Sequence, residues 1–156
     1  MSTQPPGSLA FFSPGDACWH HIVQCLNAAR KTADLCVFTI TDDRISRAVL
    51  DAHRRGVKVR IISDADKAHD LGSDMKQFAE EGIAVKLVRV VGAHDPGVSG
   101  HMHHKFAVID GTRLLGGSYN WTRSAANVNY ENLIDTAELG LIRQFVIEFE
   151  RLWKTL

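Results

Sequence analysis

An α/β fold, with a mixed β-sheet flanked by helices on both faces, is predicted by three features of this 156-residue sequence. Short β-rich apolar runs alternate with helical periodicities through the first half, Asp110-Gly111 joins two further strand-like runs, and a long amphipathic segment ends the chain. A chain of this length forms one domain that buries about 70% of its unfolded surface and leaves no room for a second. Lys+Arg and Asp+Glu both number 18, so the formal charge is zero and no global field attracts polyanions. Anion binding must therefore be local. A composition 45% hydrophobic and 23% charged excludes disordered, collagenous and membrane-embedded classes.

Residues 1–8, rich in Pro, Gly and Ser, are expected to be a flexible N-terminus ahead of a single domain over 9–156. Leu9 to Phe12 suit a first strand. Ser13-Pro14-Gly15-Asp16 reads as a helix start capped by Ser13, with Trp19, Ile22, Val23, Leu26 and Ala29 on one buried face and an end near Lys31. Leu35 to Ile40 is apolar without alternation, the mark of a strand covered on both faces. Asp42 or Asp43 can cap a helix carrying Ile45, Ala48, Val49 and Ala52, which Gly56 ends before a strand over Val57 to Ile62. Ser73 to Gly82 is a shorter helix that leads into a strand over Ile83 to Val88. Val91 to Gly100 is expected to be a surface loop.

Beyond it, His103 to Ile109 and Thr112 to Leu115 flank Asp110-Gly111, a two-residue hairpin signal that makes this half of the sheet antiparallel. Asn129 to Thr136 supplies another strand. Ile142, Phe145, Val146, Phe149, Leu152 and Trp153 then share one face of a final helix, whose apolar stripe suits core or dimer packing and not a membrane. Cys18, Cys25 and Cys36 lack C-x-x-C spacing and are read as core thiols. The first basic residue is Arg30 and no run of about 18 apolar residues occurs, so neither a charged leader nor a spanning helix is read and a cytoplasmic protein is expected.

The densest chemistry lies in His101-Met102-His103-His104-Lys105 and in Gly117-Ser118-Tyr119-Asn120. Strand alternation puts His101, His103 and Lys105 on one face. A neutral imidazole attacks phosphorus, and a neighbouring ammonium holds the negative phosphoryl oxygens. Ser118 and Asn120 add neutral donors, Gly116-Gly117 permits close backbone approach, and Glu131 is placed to accept the second ring N–H of a histidine.

His103-x-Lys105-x(4)-Asp110 followed by Gly117-Ser118-x-Asn120 resembles the signature of the phospholipase D, or HKD, superfamily. The fuller strings Met102-His103-His104-Lys105-Phe106, Gly117 to Thr122 and Asn129-Tyr130-Glu131-Asn132 are most similar to its single-motif branch, which holds Zucchini (mitochondrial cardiolipin hydrolase) and small bacterial Nuc-type endonucleases. The resemblance runs from about Phe12 to Trp153 and implies α-β-α layers. It also implies a metal-independent phosphodiesterase with no cofactor, in which one motif histidine becomes phosphohistidine and another protonates the leaving oxygen. No second H-x-K-x(4)-D occurs, since His53-Arg54-Arg55 lacks the lysine and the aspartate, so the second histidine is expected from a two-fold related copy. On this reading His103 is nucleophile in one protomer and general acid in its partner. Lys105 and Asn120 bind phosphoryl oxygens, Ser118 assists, Glu131 orients His103, and Asp110 supports the hairpin as part of the motif.

A nuclease on single-stranded or unspecific DNA or RNA is the expected function, with Arg54, Arg55 and Lys58 of the basic stretch Arg44 to Arg60, extended by Lys67, as candidate substrate contacts. Hydrolysis of cardiolipin or a related phospholipid is the alternative, and a catalytically silent nucleic-acid-binding module the second alternative. No counterpart of the Zucchini membrane anchor or Cys-His zinc module is recognised, so mitochondrial and piRNA roles are not carried over. His94, His101 and His103 offer a competing zinc site, which leaves Lys105 and Asn120 unexplained. His101 and His104 are otherwise loop or packing residues. Trp121 and Tyr119 could stack on bases, but Trp121 is expected in the core.

Overall fold

The computed structural model describes residues 7–91 and 97–156. Its elements, in chain order, begin with β1 (Leu9–Ser13), α1 (Ala17–Ala28), β2 (Thr32–Val37), α2 (Asp43–Arg54) and β3 (Lys58–Asp64). A 3-10 turn over Lys67–His69 leads to α3 (Met75–Glu80), β4 (Ala84–Val88), and the short strands β5 (Val90–Val91) and β6 (Ser99–Gly100). The chain then continues through β7 (Lys105–Ile109), β8 (Arg113–Gly117), α4 (Arg123–Asn127), β9 (Glu131–Thr136) and α5 (Leu139–Thr155).

One seven-stranded sheet has the order β1-β9-β8-β7-β2-β3-β4. The β2-β3-β4 half is parallel, because helices return the chain between its strands, and the remaining neighbours are antiparallel. Alternation sends Leu35, Ile61, Ala107 and Ile109 to one face, where they pack with Ile22 and Leu26 of α1, Val49 of α2 and Phe78 of α3. Cys36, Ile62, Phe106 and Val108 point to the other face, beneath Ile142 and Phe149 of α5. Burying each of these large side chains contributes about 1.5–3 kcal/mol, and both faces are needed to close the core.

Several local expectations are corrected. Ser13 does not cap α1, because it is the last residue of β1 and its hydroxyl donates to the Asn129 carbonyl at 2.9 Å. Asp16 stands at the helix start, its carboxylate taking the Trp19 indole N–H at 2.9 Å. β2 begins and ends earlier than the apolar run suggests, and α1 stops at Ala28. β7 begins at Lys105, so His103 lies in the segment that enters the strand. The connection to β8 takes three residues and not two, since Ile109 pairs with Arg113 and Thr112 N–H closes the turn on the Ile109 carbonyl at 3.0 Å. Asp110 and Gly111 both have positive φ, 53° and 66°. The expected loop after Val91 includes the paired strands β5 and β6. Of the expected flexible terminus, residues 1–6 lie outside the described residues, as does His94.

All three cysteines are buried and unpaired. Burial pushes Cys18 and Cys25 to about 11 and Cys36 to about 12, which keeps the three thiols protonated at neutral pH. Asp42 caps α2 by accepting the Arg44 amide at 3.0 Å. No described helix is long and apolar enough to cross a membrane.

Candidate active site

Antiparallel pairing sets Lys105, the first residue of β7, opposite Val37, the last of β2. The preceding His103 thus stands over Phe38, with ring centroids 4.6 Å apart, as Phe38 N–H donates to the His104 carbonyl at 2.7 Å. Lys105 Nζ donates to His103 Nδ1 at 2.8 Å and to the His103 carbonyl at 2.6 Å. Burial and the Lys105 cation hold the imidazole below its ordinary value, with His101 adding to the shift. Burial likewise lowers Lys105, against an opposing pull from Glu131.

The hairpin returns β8 beside β7, and Ser118 and Asn120 follow its end. Ser118 Oγ donates to Glu131 Oε2 and accepts the Asn132 N–H at 3.1 Å. Gly117, at φ 147°, allows this approach: a Cβ there would collide with the Asn132 carbonyl oxygen and lie 2.7 Å from Asn132 Oδ1. β1 braces the same point, because the Glu131 N–H donates to Ser13 Oγ at 3.1 Å. Asn120 Oδ1 is buried without a hydrogen-bond partner among the described residues, an acceptor held at the wall of the site.

These groups line one groove of about 760 Å³ containing His103, Lys105, Ser118, Asn120 and Glu131. It continues onto the α5 side of the sheet along Phe106, Leu114, Ile134, Leu141 and Phe145. His104, expected only to pack, also lines it, with Nε2 3.9 Å from Glu148. Phe38 was not expected at the site. The ammonium of Lys105 lies 5.3 Å and that of Lys67 5.8 Å from its ring, and the His101 ring is 5.5 Å away. Its only sequence signal was membership of an apolar strand run.

The structure does not bring the remaining candidates together. Glu131 does not orient His103: the Nδ1 position meant for it is taken by Lys105, and its own oxygen holds Ser118. Asp110 sits at the far end of β7, where its carboxylate accepts the N–H groups of Arg30 (3.0 Å), Lys31 (2.7 Å) and Thr32 (3.0 Å). Burial alone would raise its carboxyl, but these donors win and hold it below the ordinary range. Lys58 is opposite Thr32, again at the far end of the strands. Arg55 caps the carbonyls of Leu26 and Ala29, and Arg54 pairs with Glu81 at 3.0 Å. Of the four expected substrate contacts, only Lys67 lies near the site, its ammonium 5.8 Å from the Phe38 ring and paired with Asp70 at 2.8 Å. Tyr119 and Trp121 are each 1% exposed, so neither is available to stack on a base. Of the competing zinc set, His94 lies outside the described residues; among the described residues His101 clusters with Asp64 and Asp66, and His103 belongs to no such group.

Residues 22–153 match the family model described as "Cardiolipin synthase, PLD-like domain". The chain belongs to this family: it is a PLD-like domain of the phospholipase D superfamily. It is 49% identical over 128 residues to a mitochondrial cardiolipin hydrolase of Chlamydomonas reinhardtii, which covers 82% of this chain and 54% of the relative. It is 37% identical over 154 residues to the human protein of that name, covering 99% of this chain and 58% of the relative. The chain thus spans little more than half the length of these curated relatives. NucT from Helicobacter pylori shares the fold at TM-score 0.88 and 24% identity, with 94% of this chain and 95% of that one aligned. Nuc from Salmonella typhimurium, a phospholipase D family member, follows at TM-score 0.83 and 22% identity, aligning 96% of this chain and 95% of that one. The relatives' names overturn the cytoplasmic expectation, since they point to the mitochondrion. The absence of a charged leader and an apolar run within these residues was not evidence of compartment.

Proposed function

We propose that this domain cleaves phosphodiesters by two successive displacements at phosphorus, with His103 as nucleophile and a phospholipid of the cardiolipin class as substrate. One observation carries the proposal: the His103–Lys105 pair opens onto a groove whose far wall is apolar. A charged phosphodiester suits the near end, and acyl chains suit Phe106, Leu114, Ile134, Leu141 and Phe145. The relatives' name, cardiolipin hydrolase, supports the same choice. The nucleic-acid alternative loses Arg54, Arg55 and Lys58 as contacts and keeps Lys67.

In the resting site the Lys105 ammonium donates to Nδ1, so the neutral ring carries its proton on Nε2. An incoming phosphate draws the ammonium to its own oxygens, which frees Nδ1 to take the proton and turns the Nε2 lone pair toward phosphorus. Nε2 attacks, the P–N bond forms and the bond to the leaving glycerol oxygen breaks. That oxygen takes its proton from a second imidazole. Water then attacks phosphorus, the second imidazole takes the water's proton, and the P–N bond breaks to give phosphatidic acid and free His103.

One His103 per chain requires that the second imidazole come from a two-fold copy, making the active unit a homodimer. Val128 and Tyr130, 70% and 92% exposed, lie within the three residues before Glu131 as apolar surface for that copy to cover.

The test is to incubate wild type and His103→Ala with cardiolipin vesicles, labelled single-stranded DNA and labelled RNA, each with excess chelator. Wild type releases phosphatidic acid undiminished by chelator, and the variant loses at least about 10³-fold. Cleavage of DNA or RNA with cardiolipin untouched would transfer the substrate to nucleic acid. Binding of any of the three without turnover would leave a silent module, and an active variant would remove His103 from the chemistry.

A further inference from the structure

At the opposite end of β9 from Glu131 lies a second group of chemically competent side chains that phosphodiester cleavage does not use. Asp135 is four residues beyond Glu131, roughly 13 Å along an extended strand. His21 and Cys25, one helical turn apart on α1, face it across the sheet. His21 Nε2 is 2.6 Å from Asp135 Oδ2 and 3.5 Å from Cys25 Sγ. All three donor atoms lie within 4.8 Å of one another.

The decisive feature is that a single ring nitrogen meets both the thiol and the carboxylate. A nucleophilic relay would need the two nitrogens of the imidazole, one for each neighbour. Here both neighbours meet Nε2, so a cation replacing the proton shared by Nε2 and Oδ2 would be within reach of all three donors, which would spread around it. A sulfur, a nitrogen and an oxygen together suit zinc better than magnesium or calcium, which prefer oxygen alone.

We propose that His21 Nε2, Cys25 Sγ and Asp135 Oδ2 bind one zinc ion that ties α1 to β9, with water as the fourth ligand. A cavity of about 210 Å³ lined by Cys25, Thr112 and Arg113 provides that water's access. Binding expels the thiol proton to solvent and leaves the ring proton of His21 on Nδ1. Arg113 Nε holds the other oxygen, Oδ1, of Asp135 at 2.8 Å and fixes the carboxylate's direction as an outer partner. Phe11 stacks on the His21 ring at 4.0 Å and sets its plane.

Tag-free, chelator-stripped protein is titrated with Co²⁺ as the probe. The expected result is saturation at one equivalent with a thiolate-to-cobalt charge-transfer band. That band is lost in Cys25→Ala and His21→Gln and kept in Cys18→Ala, with circular dichroism confirming that each variant is folded. Zinc at a hundred-fold excess over its Kd raises Tm by about 5 °C or more in wild type and not in Cys25→Ala. Absence of the band at saturating Co²⁺, or its persistence in Cys25→Ala, overturns the proposal. Phosphodiesterase turnover in chelator is the same for wild type and Cys25→Ala, so this site and the His103 mechanism fail or stand separately.

Discussion

The His103 imidazole is held below its ordinary value by burial and by the Lys105 ammonium. A nucleophilic ring must be neutral, and a lowered value keeps it neutral further into the acid range. Activity therefore falls only as pH drops through a value under the unperturbed figure of about 6.5. On the proposed two-imidazole mechanism the profile is a bell, and its apparent limits belong to the pair. Lys105→Met removes the second cause of the shift, so the acid limb of kcat/KM moves upward in pH while the rate falls about 10²-fold or more from lost phosphoryl binding. An acid limb that stays in place would show that Lys105 does not act on His103. The sequence made His103, Lys105, Ser118 and Asn120 legible because fixed spacing along one hairpin is local information. Phe38 was not legible, because its place beside His103 depends on β2 pairing with β7 across more than sixty residues, roughly the separation that loop closure must bridge.

Among the elements, the β7–β8 hairpin shows how one motif residue serves architecture. Asp110 gathers the amides that open β2, so the turn of one hairpin is clamped to the start of another strand. Its carboxyl is depressed in the folded state, so it contributes stability above the unfolded value of about 3.9 and loses it as pH falls through the lower folded value. Asp110→Asn tolerates the positive φ but removes the charge, and denaturant unfolding at neutral pH should lose about 1 kcal/mol or more. The gap from wild type should close on acidification below about pH 4, and a gap constant with pH would assign the loss to something other than the carboxylate. The Asp-Gly pair announced this hairpin, while the third turn residue did not show, because Thr112 has strong strand character of its own. Ser13 misled for the opposite reason: its residue type and Pro14 fit a helix cap, and only the pairing with Glu131 reveals that β1 has already claimed it.

For the whole molecule, the proposed mechanism makes assembly part of the chemistry, because each chain carries one histidine-lysine pair of the motif. Specific activity should fall when the protein is diluted below its dimer dissociation constant, and excess His103→Ala should suppress wild type by forming mixed pairs. Sedimentation of a monomer that retains full specific activity would contradict this. The alternation of strands and helices was enough to predict layers on both faces, since each element carried its own periodicity. The direction of the groove was beyond sequence reasoning. Basic residues at Arg54, Arg55 and Lys58 looked like a phosphate track, yet they cap helix carbonyls, pair with acids or sit at the far ends of the strands. Charge along a chain gives no pole until the sheet order is known.

Gly117 draws a last distinction between room and reactivity. In a survey of random variants, position 117 would be as closed to replacement as His103, although it has no side chain with which to meet a phosphate. Every bulkier residue would push the β8 terminus off the Asn132 backbone and carry Ser118 with it. Sequence invariance across this segment would consequently record a steric boundary at one residue and a chemical duty at its neighbour.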